Sequence, residues 1–88
     1  MRRYTGGKRR DANEAELVAA FRRCGAMVLH LSGAGVPDMA VNLRGRTKLV
    51  EVKSRHGAET DAQRSSVFPR LTIRSLDDVM VAVREWHR

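Results

Sequence analysis

Asp38, Glu51 and Lys53 stand inside two stretches that otherwise read as apolar strands, DMAVNL over 38–43 and RTKLVEVK over 46–53. The Arg44-Gly45 pair between them suits a two-residue turn, and the flanking residues alternate in polarity as those of a hairpin do. With Leu43 paired to Arg46, Asp38 falls opposite Glu51. Asp38, Ala40 and Asn42 then share a face with Leu49, Glu51 and Lys53. Met39, Val41, Leu43, Val50 and Val52 take the other face, which becomes the core side. Two carboxylates opposed across strands repel, by roughly 0.2–1 kcal/mol when exposed. Something positive belongs between them. Lys53 brings one charge, and a divalent cation, which takes oxygen ligands, brings two more. The ordinary alternative is a turn at Pro37-Asp38 followed by an exposed Glu51–Lys53 pair worth about 0–1 kcal/mol.

The elements that must position these residues follow from spacing. Asn13 and Glu16 have capping-box spacing with Asp11 just upstream, so a first helix is expected to start near Asn13. Leu17, Val18, Phe21 and Cys24 recur at helical intervals, and Gly25 is a suitable stop. Glu14 lies three and four residues before Leu17 and Val18, which puts an acid on the core-facing side. Ala26 to Leu31 reads as a strand, and Ser32-Gly33-Ala34-Gly35 lets the chain reverse before Pro37. Thr60 caps a helix start at Thr60-Asp61-Ala62-Gln63, which Pro69 limits to about two turns. Leu71 to Ile73 makes a fourth strand. Ser75 with Asp78 predicts a capped helix whose apolar stripe is Leu76, Val79, Met80 and Val83, with Trp86 at its end as a packing or dimer contact. The order α-β-β-β-α-β-α predicts an α/β fold around a mixed sheet.

Size and charge narrow the partners. At 88 residues the chain fits one domain over 13–88, preceded by a basic arm over 1–12. A chain this short buries only about 60–65% of its unfolded surface, so marginal stability or help from a partner subunit is expected. Seventeen Lys and Arg against ten acids give a net charge of +7, which suits a polyanion. Arg2, Arg3, Lys8, Arg9 and Arg10 crowd the arm, broken by Gly6-Gly7. No apolar run approaches the ~20 residues of a membrane span, and the basic start has no signal-peptide apolar stretch. The lone Cys24 cannot form an internal disulfide, as suits a reducing cytoplasm. His30 and His56 read as incidental: a satisfied sheet residue, and a loop residue within reach of phosphate.

Asp38 followed by Glu51-Val52-Lys53 resembles the PD-(D/E)XK nuclease signature, here with a literal Pro37-Asp38. The wider string, Arg10-Asp11-x-Asn13-Glu14, Gly25-Ala26, Gly35-Val36-Pro37-Asp38, Glu51-Val52-Lys53 and Gln63, is similar to that of small VRR-NUC-type nucleases of phages and bacteria. It covers residues 9–63, and more loosely 71–86. The resemblance implies a restriction-endonuclease-like α-β-β-β-α-β core with a C-terminal helix. It implies magnesium, with manganese able to substitute, held by Asp38, Glu51 and the Val52 carbonyl, with Glu14 as a further ligand. Lys53 would orient the attacking water or stabilise the phosphorus centre, and Gln63 would position phosphate or the hydrated metal. The activity implied is a DNA endonuclease, selective for branched or Holliday-junction-like DNA, in the cytoplasm of a bacterial or phage-infected cell. Arg9, Arg10, Arg22, Arg23, Arg55 and Arg64 are the expected phosphate contacts. One departure is that only seven residues separate Gln63 from Leu71, where relatives carry a longer helix. The sheet area thereby left open, together with size, predicts a homodimer. The alternative from another class is a nucleic-acid-binding protein that uses the nuclease fold without cutting, and a third is a small basic scaffold.

Overall fold

In this computed structural model, residues 12–54 and 68–86 are described. Helix α1 spans Ala12–Arg23, and strands β1, β2 and β3 span Met27–His30, Met39–Leu43 and Arg46–Val52. Strand β4 (Leu71–Ile73) and helix α2 (Leu76–Arg84) complete the described elements. The expected basic arm and the helix expected from Thr60 lie outside the described residues.

The strands form one sheet in the order β1-β2-β3-β4. β1 with β2, and β2 with β3, are antiparallel; β3 and β4 are parallel. The sheet is therefore mixed, and with its two described helices the chain is an α/β protein. Leu43 pairs with Arg46, and the register continues to Met39 opposite Val50. The turn residues Arg44 (φ 55°) and Gly45 (φ 82°) both occupy the left-handed region. Two successive positive φ values give the turn whose twist matches the strands it joins. Gly45 adopts this freely; Arg44 does so at some cost, which the paired strands offset.

Strict alternation follows from this register. Met39, Val41, Leu43 and Val50 are buried on one face. Onto it pack Leu17, Val18 and Phe21 of α1, Val79 and Ala82 of α2, and Trp86 just beyond. Phe21 and Trp86 meet edge to face, ring centroids 5.9 Å apart. The indole Nε1–H of Trp86 donates to the Arg46 carbonyl at 2.9 Å, and the Lys48 ammonium lies 4.9 Å from its ring centroid. Trp86 is thus a core anchor.

Two local expectations are corrected. Ala12 already belongs to α1, so Asn13 sits in the first turn and does not cap the helix. Alanine is the best helix former and extends the helix upstream of the polar pair. In α2, Ser75 caps as expected, its hydroxyl accepting from the Asp78 N–H at 3.2 Å. The buried stripe, however, is Val79, Ala82, partly buried Val83 and then Trp86, while Leu76 and Met80 are 40% and 50% exposed. Both sets have helical spacing. The large indole decides which one turns inward.

The opposite sheet face is open at β1, where Met27 and Leu29 are 74% and 64% exposed. Among the described residues, no helix is long and apolar enough to cross a membrane.

Candidate active site

Asp38 stands one residue before β2. The buried ring of Pro37 precedes it, and its carbonyl accepts from the Leu31 N–H at 2.8 Å, which carries the β1–β2 pairing one step further. Met39 opposite Val50 puts Asp38 opposite Glu51 at the next step of the hairpin. The Asp38 side chain also reaches across: its Oδ2 accepts from the Val52 N–H at 2.8 Å. A carboxylate spanning the two strands at this point holds the β2 start in register with the end of β3.

Glu51 is only 4% exposed. Its carboxyl is pushed above the ordinary value of 4.5 by burial first and by the Asp38 charge second. A hydrogen bond between the two carboxyls adds to the rise, while Lys53 and Arg70 oppose it. The two acids thus converge as the register requires. Lys53, two residues on and on the same face, places Nζ 3.8 Å from Glu51 Oε2. Its backbone N–H donates to the Ile73 carbonyl at 3.0 Å, which fixes the lysine at the point where β3 leaves the sheet. Arg74 reinforces that point by donating from Nη1 to the Ser54 carbonyl at 2.7 Å.

Arg70 is the residue that sequence reasoning missed. Its guanidinium donates from Nη1 to Glu51 Oε1 at 3.2 Å and from Nη2 to the Gly35 carbonyl at 2.8 Å. The parallel register aligns Thr72 with Glu51, so Arg70, two residues earlier, falls on the acid-bearing face. Alternation along β4 was the one available signal, but it becomes useful only once the β3–β4 alignment is known.

Glu14 is buried on the core-facing side of α1, as its spacing predicts. Its Oε2 lies 3.7 Å from Nδ1 of His30, a residue aligned with Met39 on the helix-covered face. Among the described residues, no third His, Cys, Asp or Glu joins a metal-ligating group with Asp38 and Glu51. Arg22 and Arg23 are exposed on the last turn of α1 and line a shallow concavity with Glu14 and His30. Gln63, His56, Arg9, Arg10, Arg55 and Arg64 lie outside the described residues.

The donor set fits a divalent cation. Two converging carboxylates in a partly closed site are what magnesium accepts from protein, its remaining positions being filled by water and phosphate oxygens. The raised Glu51 pKa has the matching sign, because these acids are harder to ionise together without added positive charge. A stability prediction follows for the metal-free protein. The folded state holds the Glu51 proton more tightly than the unfolded chain does. This site's contribution to stability is therefore complete below 4.5 and is lost as pH rises through the raised folded value. Glu51→Gln, which keeps the shape of the protonated acid, is expected to melt a few degrees above wild type at pH 8 in chelator. The gap is expected to narrow toward pH 4. Parallel melting curves across that range would contradict the assignment.

Compared with known proteins, the chain matches no protein-family model, no curated protein and no solved structure.

Proposed function

We propose that this chain is a divalent-metal-dependent DNA endonuclease of the PD-(D/E)XK type, with a restriction-endonuclease-like core and a likeness to the small VRR-NUC nucleases. The observation that carries the proposal is the convergence of the Asp38 and Glu51 carboxyls with the Lys53 ammonium beside them. Magnesium or manganese would be held by Asp38, Glu51 and the Val52 carbonyl. When bound, such an ion supplies Lewis acidity, easing charge on phosphate and making a water more acidic. The chain supplies the rest. Asp38 and Glu51 are fixed by the hairpin register and need little rearrangement before reaction. Lys53 offers an ammonium with three donors at the site, suited to orienting the attacking water or meeting charge that grows on the phosphate.

The excess of basic residues supports a polyanionic substrate, with Arg22 and Arg23 as described and exposed candidates for phosphate contact. Preference for branched DNA rests on the family likeness. A homodimer is proposed on chain size and on the open apolar residues Met27 and Leu29. Two copies would present paired sites to a symmetric junction.

One observation favours the binding-only alternative. Arg70 and Lys53 already set two positive groups against Glu51, so part of the charge conflict is relieved within the chain. A panel of linear, flapped and four-way DNA with magnesium, manganese or chelator separates the readings. Metal-dependent cutting of the branched substrates is the expected result. Tight binding with no cutting in either metal would favour the alternative, and neither binding nor cutting would remove both.

A further inference from the structure

Arg70 has its guanidinium committed on three sides. Nη1 donates to Glu51 Oε1 at 3.2 Å, Nη2 to the Gly35 carbonyl at 2.8 Å, and Nε to the Phe68 carbonyl at 3.4 Å. Its side chain is 7% exposed and that of Glu51 5%, so water screens this pair little. Gly35 is a left-handed turn residue, φ 76°, in the segment that leads into Pro37 and Asp38. Arg70 therefore ties three things together: the start of β4, the acid on β3 and the loop that delivers the other acid. The opposite oxygen of Glu51, Oε2, faces Lys53 at 3.8 Å. Each oxygen of the carboxylate thus already faces a cation supplied by the chain.

We propose that Arg70 is the resident counter-cation of this site, competing with the divalent ion for Glu51 and holding the Asp38 loop in place until that ion binds. The inference rests on the metal-dependent reading above. An incoming divalent cation must approach Glu51, one oxygen of which Arg70 already engages, against a fixed positive charge in a weakly screened pocket. Arg70 thereby lowers the site's affinity for metal while keeping its geometry assembled without it. Bridging Glu51 and Gly35 needs the planar fork of a guanidinium, whereas the competition with the metal needs only its positive charge. Arg70 is a positioning residue here, and its effect is read from metal uptake in the absence of DNA.

The test measures manganese binding to the full chain by the loss of the free-ion electron paramagnetic resonance signal. Arg70→Gln, which removes the charge but retains a side-chain donor, is expected to bind manganese about 3–10-fold more tightly than wild type. Arg70→Lys, which keeps the charge, is expected to stay near the wild-type value. Equal or weaker binding by Arg70→Gln, with wild type binding normally, would overturn the competition and leave the nuclease reading standing. Equal tightening by both variants would also overturn it, since charge would not be the cause. No uptake by wild type or by either variant would overturn both the competition and the metal-dependent reading. A second readout needs no variant and holds if Arg70→Gln fails to fold. The Arg70 side-chain ¹⁵N resonance of the unaltered chain is expected to shift and its N–H exchange to quicken as magnesium saturates the site. An unchanged resonance at saturation would overturn the proposal.

Discussion

Asp38→Asn is expected to abolish magnesium-dependent cleavage while leaving the fold and DNA affinity almost intact. The substitution keeps the side chain's size and one carbonyl oxygen, which can still accept from the Val52 N–H now bonded to Oδ2 at 2.8 Å. Strand register should therefore survive, and melting should change by only a few degrees. What disappears is a negative oxygen. An amide nitrogen is a donor and cannot ligate a hard cation. Altering even the groups behind metal ligands costs about 10–100-fold in affinity or activity, so loss of a direct ligand should cost at least that much. Removing an acid from a site that faces phosphate does not weaken electrostatic attraction to DNA. Cleavage assays paired with fluorescence anisotropy check both halves. Cutting at the wild-type rate would show that Asp38 is not part of the site.

Lys53→Ala is expected to slow cleavage by about 10²–10³-fold, the usual effect of removing a donor aimed at developing charge. The backbone contact from Lys53 to the Ile73 carbonyl, 3.0 Å, is kept by alanine, so the end of β3 should hold. The distinguishing feature is metal binding. The Lys53 ammonium lies 3.8 Å from Glu51 Oε2, where it favours the ionised acid but also repels a cation. Its loss should leave metal affinity within a few-fold of wild type, unlike the loss of Asp38. Single-turnover cleavage at saturating magnesium, set beside a metal titration, separates the roles. A cleavage defect fully explained by lost metal uptake would contradict the assignment of Lys53 to the chemical step.

The hairpin was legible because two signals agreed. Polar and apolar residues alternate on both sides of Arg44-Gly45, and slipping the register by one residue would turn Met39, Val41 and Val50 outward. That register alone brings Asp38 and Glu51 together, so the heart of the site was readable from local sequence. The stripe of α2 was less so. Leu76, Val79, Met80 and Val83 have helical spacing, as do Val79, Ala82, Val83 and Trp86, and only packing against Phe21 and the sheet selects the second set. Arg70 was not readable at all. Its place on the Glu51 face depends on the parallel β3–β4 pair, in which Thr72 aligns with Glu51, and parallel registers leave no turn signature in the sequence. Glu14 falls between these cases. Its position on the inner side of α1 was legible from spacing, whereas its contact with His30 required the β1–β2 alignment.

The most direct measurement is calorimetric titration of the DNA-free chain with magnesium and manganese, run beside Asp38→Asn. Saturable uptake by the wild-type chain is expected, with strongly weakened uptake in the variant. No saturable heat from the wild-type chain, or equal uptake by both proteins, would contradict it.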